Sequence, residues 1–282
     1  MKLGIALSGG GIRGIAHSGV LKALEEEVID VDIFTGTSSG SHVAFLGAIG
    51  YSSKKIKETY DANINSIVGN KNIFNFSNMF LNNKFKMEGL RSGKGIETLY
   101  FEIGKEYGIK KISDVKKELG VVATDIKKEK EVWFTSKKLD DKLKLDRINI
   151  TDIDIGKAIR ASSSFSVIFD PCRDNENIYL DGGIFNNTPV DLAYALGADK
   201  VVAVKFDSSS EDFVSDNIFG IGMKTIDIMS KIISNRVLEN ADVVVNIKSE
   251  TSGFLNVKKT DFYCEEGYKA MKEKIEEVKK LF

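Results

Sequence analysis

The chain has 282 residues, 42% of them hydrophobic, which is enough for a substantial core in one large domain. Its 40 basic residues stand against 41 acidic ones, a balance that argues against a nucleic-acid surface or a polybasic membrane anchor. Cys172 and Cys264 lie far apart without C-x-x-C spacing, so they suggest neither a disulfide framework nor a metal site and read as packing residues.

In chain order, residues 2–7 read as a buried strand. They are too short for the apolar core of a signal peptide, and the longest apolar run, 43–49, is too short to span a bilayer. A cytoplasmic protein with no transmembrane segment is therefore expected. Ser8-Gly9-Gly10-Gly11-Ile12-Arg13-Gly14 follows, then a helix over 15–27. Gly9, Gly11 and Gly14 satisfy G-x-G-x-x-G, with Asp30 or Asp32 at the distance of a ribose-binding carboxylate, so a non-hydrolytic dinucleotide-binding protein is one reading. The other is that the consecutive glycines turn backbone N–H groups toward a developing oxyanion, joined by the amide of Ser39. Arg13 sits at a helix start, where a cation is unfavourable, and either braces the loop through carbonyls or meets a substrate phosphate or carboxylate.

Residues 33–42 are Ile-Phe-Thr-Gly-Thr-Ser-Ser-Gly-Ser-His, a strand running into a helix through a G-x-S-x-G elbow. A serine on such a turn is strained, and Gly36 and Gly40 let neighbouring segments close around Ser38. Further helices are expected over 53–65 and 93–107. Residues 70–88 carry many aromatic and apolar side chains without a period; they read as buried packing or as a mobile apolar flap near the site that meets acyl chains or, in transient peripheral contact, a membrane surface. A central strand is expected over 119–126 with a partner over 131–135, a solvated loop over 137–146, and a helix over 154–164 capped by Asp154 or Asp152. The strand 178–180 ends in Asp181-Gly182-Gly183, where a carboxylate can be pressed against another element; a plain Asp-Gly turn is the alternative. Pro189 is placed at N1 of a helix, followed by strands over 201–206 and 243–247, a helix over 218–238, and a closing helix over 265–282 with Tyr268, Met271, Ile275, Val278 and Phe282 on one stripe. This alternation predicts a mostly parallel α/β sheet covered by helices on both faces, one domain over 1–282.

The loop Gly9-Gly10-Gly11-Ile12-Arg13-Gly14, the elbow Gly36-Thr37-Ser38-Ser39-Gly40 and the turn Asp181-Gly182-Gly183 together resemble the patatin-like phospholipase family. Ala16-His17-Ser18-Gly19-Val20-Leu21, Val122-Ala123-Thr124-Asp125 with Val132-Trp133-Phe134, Ala158-Ile159-Arg160-Ala161-Ser162-Ser163 and Gly197-Ala198-Asp199 extend the likeness across residues 3–206. The resemblance implies a three-layer patatin fold and hydrolysis of carboxyl esters of phospholipids, lysophospholipids or related acyl esters. It also implies a Ser38–Asp181 dyad with an oxyanion hole at Gly10, Gly11 and Ser39. Where the family usually shows a proline after the serine run, this chain has Ser166. The residues agree on the base: His17 lies inside the first helix and His42 one turn down the elbow helix, so neither meets the tip that carries Ser38, and a carboxylate is left to take its proton. No cofactor is expected, and no histidine or cysteine cluster is offered to a metal; calcium on scattered carboxylates is left open.

Overall fold

The sheet is built outward from Leu3–Leu7, a run buried at every position because it is covered on both faces. In the computed structural model, residues 1–68, 89–140, 146–166, 168–208, 221, 225, 228–230, 232–233, 237–249 and 259–282 are described. In chain order the strands are β1 (Leu3–Leu7), β2 (Ile33–Thr37), β3 (Glu118–Asp125), β4 (Lys130–Thr135), β5 (Ile148–Ile150), β6 (Cys172–Asp174), β7 (Asn177–Asp181), β8 (Lys200–Ser208) and β9 (Val243–Ser249). The helices are α1 (Ala16–Glu26), α2 (Ser39–Ala48), α3 (Ser53–Ala62), α4 (Ile64–Val68), α5 (Lys94–Glu106), α6 (Ile155–Ser162), α7 (Val190–Ala195) and α8 (Thr260–Lys279).

The strands form one sheet in the order β5-β4-β3-β2-β1-β8-β9, with β7 joined to β3 and β6 to β7. Pairings along β3-β2-β1-β8-β9 are parallel, whereas β4 and β7 both run antiparallel to β3. Two features of this order build the site. First, β1 has β2 on one side and β8 on the other, so the direction of winding reverses at its carboxyl end, the place where open α/β sheets leave a crevice. Second, β2 and β7 share one edge of β3. Thr37 at the end of β2 pairs with Val122, and Asp181 at the end of β7 pairs with Ala123, the next residue. The two strands thus run toward each other and stop on adjacent rungs.

Alternate residues of β1 feed two cores. Leu3, Ile5 and Leu7 pack with α1, α2, α5, α6 and α8 on one face, and Ala6 packs with Val190 and Leu192 of α7 and with Trp133 on the other. α8 crosses α1 at backbone contact: a Cβ on Gly19 would stand 1.8 Å from the Cys264 carbonyl oxygen, and one on Gly267 1.9 Å from that of Ala16. Of the expected stripe on α8, Met271, Ile275 and Val278 are buried while Phe282, beyond the last turn, is 66% exposed.

Several boundaries differ from the pattern reading. A 3-10 turn over Gly11–Ile15 precedes α1, because the glycine loop turns tightly before a regular helix can begin. The helix expected over 53–65 divides at Asn63 into α3 and α4. Asp154 occupies the N-cap of α6 without a side-chain capping bond, and Pro189 is the N-cap of α7 instead of its first residue. The strands β5 and β6, three residues each, are too short to leave a period. The expectation for 70–88 falls outside the described residues, as does much of 218–238, within which Ile228–Ser230 are helical.

α1 ends in a Schellman motif, in which the Ile29 N–H donates to Leu24 O at 3.0 Å and the Val28 N–H to Glu25 O at 3.1 Å. The motif requires a left-handed residue, and Val28 supplies it at φ 55 while 87% exposed. A β-branched side chain is strained there. Val28→Gly is accordingly expected to raise unfolding stability by about 1 kcal/mol, read as a higher midpoint in urea with an unchanged slope. An unchanged or lower midpoint would show that the strain is relaxed in solution.

Candidate active site

Ser38 follows β2 with φ 54 and ψ −127, a conformation that a side-chain-bearing residue adopts only under constraint. The constraint comes from the glycines on either side. A Cβ on Gly36 would lie 2.5 Å from the Gly40 backbone, and one on Gly40 2.1 Å from Leu7 O, so β1, β2 and α2 approach one another only through these two residues. Behind the elbow, Thr37 Oγ1 donates to Asn186 O at 2.7 Å. Asn186 is held in turn by Nδ2 bonds to Glu131 Oε1 at 3.1 Å and Asp191 Oδ1 at 2.7 Å, and Arg147 bridges those two carboxylates.

Asp181 stands on the rung beside the elbow and is 3% exposed. Its N–H donates to Ser164 O at 3.0 Å, its carbonyl accepts from Thr124 Oγ1 at 3.0 Å, and its Oδ1 accepts from Gly183 N at 2.8 Å. Oδ2 is buried and unsatisfied. Burial is the largest influence on this carboxyl and raises its pKa from 3.8 to about 6, against smaller downward pulls from the Ser38 hydroxyl and the Gly183 amide. The Ser38 hydroxyl is near enough to pull this pKa down, yet Oδ2 has no hydrogen-bond partner. A buried carboxylate with one oxygen in reserve, beside a strained serine, can accept a proton near neutral pH.

The glycine loop lies at the carboxyl end of β1. Ser8 N donates to Val204 O at 3.0 Å, Gly9 N to Asn187 O at 3.2 Å, and Asn187 Nδ2 back to Gly9 O at 3.4 Å. Gly10 departs from its expected part: its N–H already donates to Ser39 Oγ at 3.0 Å, which ties the loop to α2. Gly11, at φ 61, opens the 3-10 turn with Ile12, and the first N–H groups of such a turn have no acceptor within it. Arg13 Nε donates to Gly10 O at 3.1 Å, and its guanidinium lies 5.2 Å from the Phe206 ring centroid, so it braces the loop. Gly14 lets Ser39 approach, since a Cβ there would stand 2.4 Å from the Ser39 side chain.

Gly11, Ile12, Ser38 and Ser39 line a cleft whose apolar side is formed by residues such as Ile67, Ile96, Phe165 and Phe169. His42 also borders it and exchanges a hydrogen bond with Ser163 Oγ at 2.9 Å, while His17 Nε2 donates to Ser8 O at 2.8 Å. Burial lowers the pKa of His42 to about 3 and that of His17 to about 4, so both rings are neutral across the working range. Among the described residues neither imidazole hydrogen-bonds to Ser38 or Asp181.

A family model described as patatin-like phospholipase matches residues 5–194, which include the glycine loop, the elbow and the Asp181 turn. The chain belongs to the patatin-like phospholipase family. Among similar proteins, one described as a probable lipid hydrolase of Invertebrate iridescent virus 6 is 29% identical over 201 residues, 67% of this chain and 62% of the relative. A lysophospholipase of Aspergillus fumigatus is 31% identical over 223 residues, 77% of this chain but 12% of the fungal protein. The chain thus spans less than two thirds of the length of these relatives. The crystal structure of VipD from Legionella pneumophila shares the fold at 16% identity and a TM-score of 0.51, covering 96% of this chain and 66% of that one. The dinucleotide reading is set aside. The family match takes in the loop, Asp32 Oδ2 is engaged by Leu3 N at 2.8 Å, and Gly14 packs against the serine helix.

Pattern reading does not single out Asn186 or Asn187, and takes in Thr124 only as part of the Val122–Asp125 stretch. The Asn-Asn-Thr-Pro run following Asp181-Gly182-Gly183 was the available signal, because side-chain amides beside a proline-ended turn favour bonds to backbone.

Proposed function

We propose that this chain is a serine acyl hydrolase that cleaves carboxyl esters of phospholipids, lysophospholipids or related lipids through Ser38 and Asp181. The observation that carries the reading is the pairing of a strained serine at φ 54 with a buried carboxylate whose pKa is raised to about 6. Asp181 takes the Ser38 hydroxyl proton as Oγ bonds to the ester carbonyl carbon. The resulting oxyanion is met by the amides of Gly11 and Ser39, while Gly10 holds Ser39 in place through its side chain. Collapse breaks the bond to the alcohol, which leaves with the proton from Asp181, and an acyl ester remains on Ser38. Asp181 then deprotonates a water that attacks this ester, releasing the fatty acid and restoring the serine hydroxyl.

The apolar side of the cleft supports an acyl chain as the group bound beside the scissile bond. No helix among the described residues is long and apolar enough to cross a membrane. Transient contact with a lipid surface from a cytoplasmic setting is part of the proposal.

The test is a pH profile of kcat/KM on a p-nitrophenyl acyl ester. Activity should rise as pH passes about 6, where Asp181 loses its proton, and the same limb should persist in a His17→Asn, His42→Asn double variant. Turnover per folded molecule in that variant should stay within about tenfold of the parent, although melting will fall because both rings are buried. Loss of the limb together with turnover in a folded double variant would mean that an imidazole is the base.

A further inference from the structure

The elbow and the Asp181 turn share a geometric problem: β2 and β7 end on adjacent residues of β3, and the backbone N–H groups of Ser38 and Asp181 take their acceptors from outside the sheet. A buried N–H without an acceptor is costly, and at Ser38 the cost would add to a conformation that is already strained. The serine run at the carboxyl end of α6 supplies both acceptors. Ser162 Oγ accepts from Ser38 N at 2.8 Å, and two residues later Ser164 O accepts from Asp181 N at 3.0 Å. Ser162 is fully buried and Ser164 nearly so, and neither bond competes with water.

We infer that Ser162 is a positioning residue of the reaction: its hydroxyl holds the Ser38 backbone in register with Asp181, which the same short serine run anchors through Ser164 O, just beyond α6. This rests on the proposed roles of Ser38 and Asp181. The run sets the separation of nucleophile and base from one rigid segment, so the nucleophile does not relax away from the carboxylate when the strained turn is loaded with substrate. The inference concerns the hydroxyl of Ser162 and not its bulk, which makes it separable from packing.

The experiment compares Ser162→Ala, Ser162→Cys and Ser162→Thr with the parent, with melting followed by circular dichroism and turnover on the p-nitrophenyl acyl ester. Ser162→Ala should lose between about tenfold and a hundredfold in kcat with KM within about twofold, and its rate of inactivation by a fluorophosphonate should fall in parallel. Ser162→Thr, which keeps an oxygen acceptor, should recover most of the loss, whereas Ser162→Cys, close in size but a weak acceptor, should not. A folded Ala or Cys variant with parental kcat, or one in which only KM rises, overturns the inference. Should every variant fail to fold, amide exchange in the unaltered protein decides it: a Ser38 N–H protected like those of the core strands supports the bond, and one exchanging like an exposed loop overturns it. Failure of the underlying reading has a different signature, namely turnover that survives removal of the Ser38 hydroxyl whatever happens at Ser162.

Discussion

Replacing Ser38 with alanine is expected to lower turnover of an acyl ester by about four to six orders of magnitude while leaving the fold intact. The proposed nucleophilic oxygen is the one atom removed, and among the described residues no other hydroxyl stands in a strained turn beside the Asp181 carboxylate. Stability should barely move, because the Cβ that causes the strain is retained. Ser38→Gly separates the two effects: it is equally inactive, yet it should melt higher by the equivalent of about 1 kcal/mol, since glycine adopts φ 54 and ψ −127 without penalty. A Ser38→Ala chain that hydrolyses the ester at more than about one per cent of the parental rate would remove Ser38 from the chemistry.

Asp181→Asn should combine inactivity with a gain in stability that depends on pH. The folded protein raises the carboxyl pKa from 3.8 to about 6, chiefly by burial, so the folded state binds this proton more tightly than the unfolded chain does. Stability contributed by the protonated form is complete below about pH 4, is lost as pH rises through about 6, and changes little beyond. The ionised carboxylate therefore costs the native state about 2 to 3 kcal/mol at pH 8, from about two pKa units at 1.36 kcal/mol each. Asparagine keeps an oxygen for the Gly183 N–H and carries no charge, so the variant should unfold at higher denaturant than the parent at pH 8 and at nearly the same concentration at pH 4. Its turnover should fall by about four orders of magnitude. A variant no more stable than the parent at pH 8 would contradict the burial cost, and an active one would contradict the role of the base.

Much of this site could be read from local pattern, because its parts are local. Gly36 and Gly40 mark close backbone approach, consecutive glycines mark a loop of exposed amides, and Asp181-Gly182-Gly183 marks a strand end; each requirement acts over a few residues and leaves its mark in them. The relation of the parts is not local. That β7 returns to the same edge of β3 that β2 occupies depends on long-range pairing, which no window of sequence contains. The same limit applies to Gly10, whose amide was expected to be free and is occupied by Ser39 Oγ, and to Ser162, whose partner lies on another element. Arg13 was legible as a conspicuous placement but not in its outcome, because the carbonyl it braces faces it only once the loop has turned. Val28 is the reverse case: nothing in a β-branched residue suggests a left-handed position, and tertiary contacts between Ile29 and the core impose it.

The meeting of β2 and β7 on adjacent rungs makes β3 a ruler. It donates neither the proposed nucleophile nor the proposed base, yet the spacing of Ser38 from Asp181 is counted in its residues, at about 3.3 Å for each. Side-chain exchange along Val121, Val122 and Ala123 alters packing and leaves the count unchanged. One residue inserted between Val122 and Ala123 alters the count itself, carrying the two groups a full rung apart and turning one of them to the opposite face of the sheet. The proposed chemistry therefore depends on the length of this strand, a quantity that no catalytic side chain records.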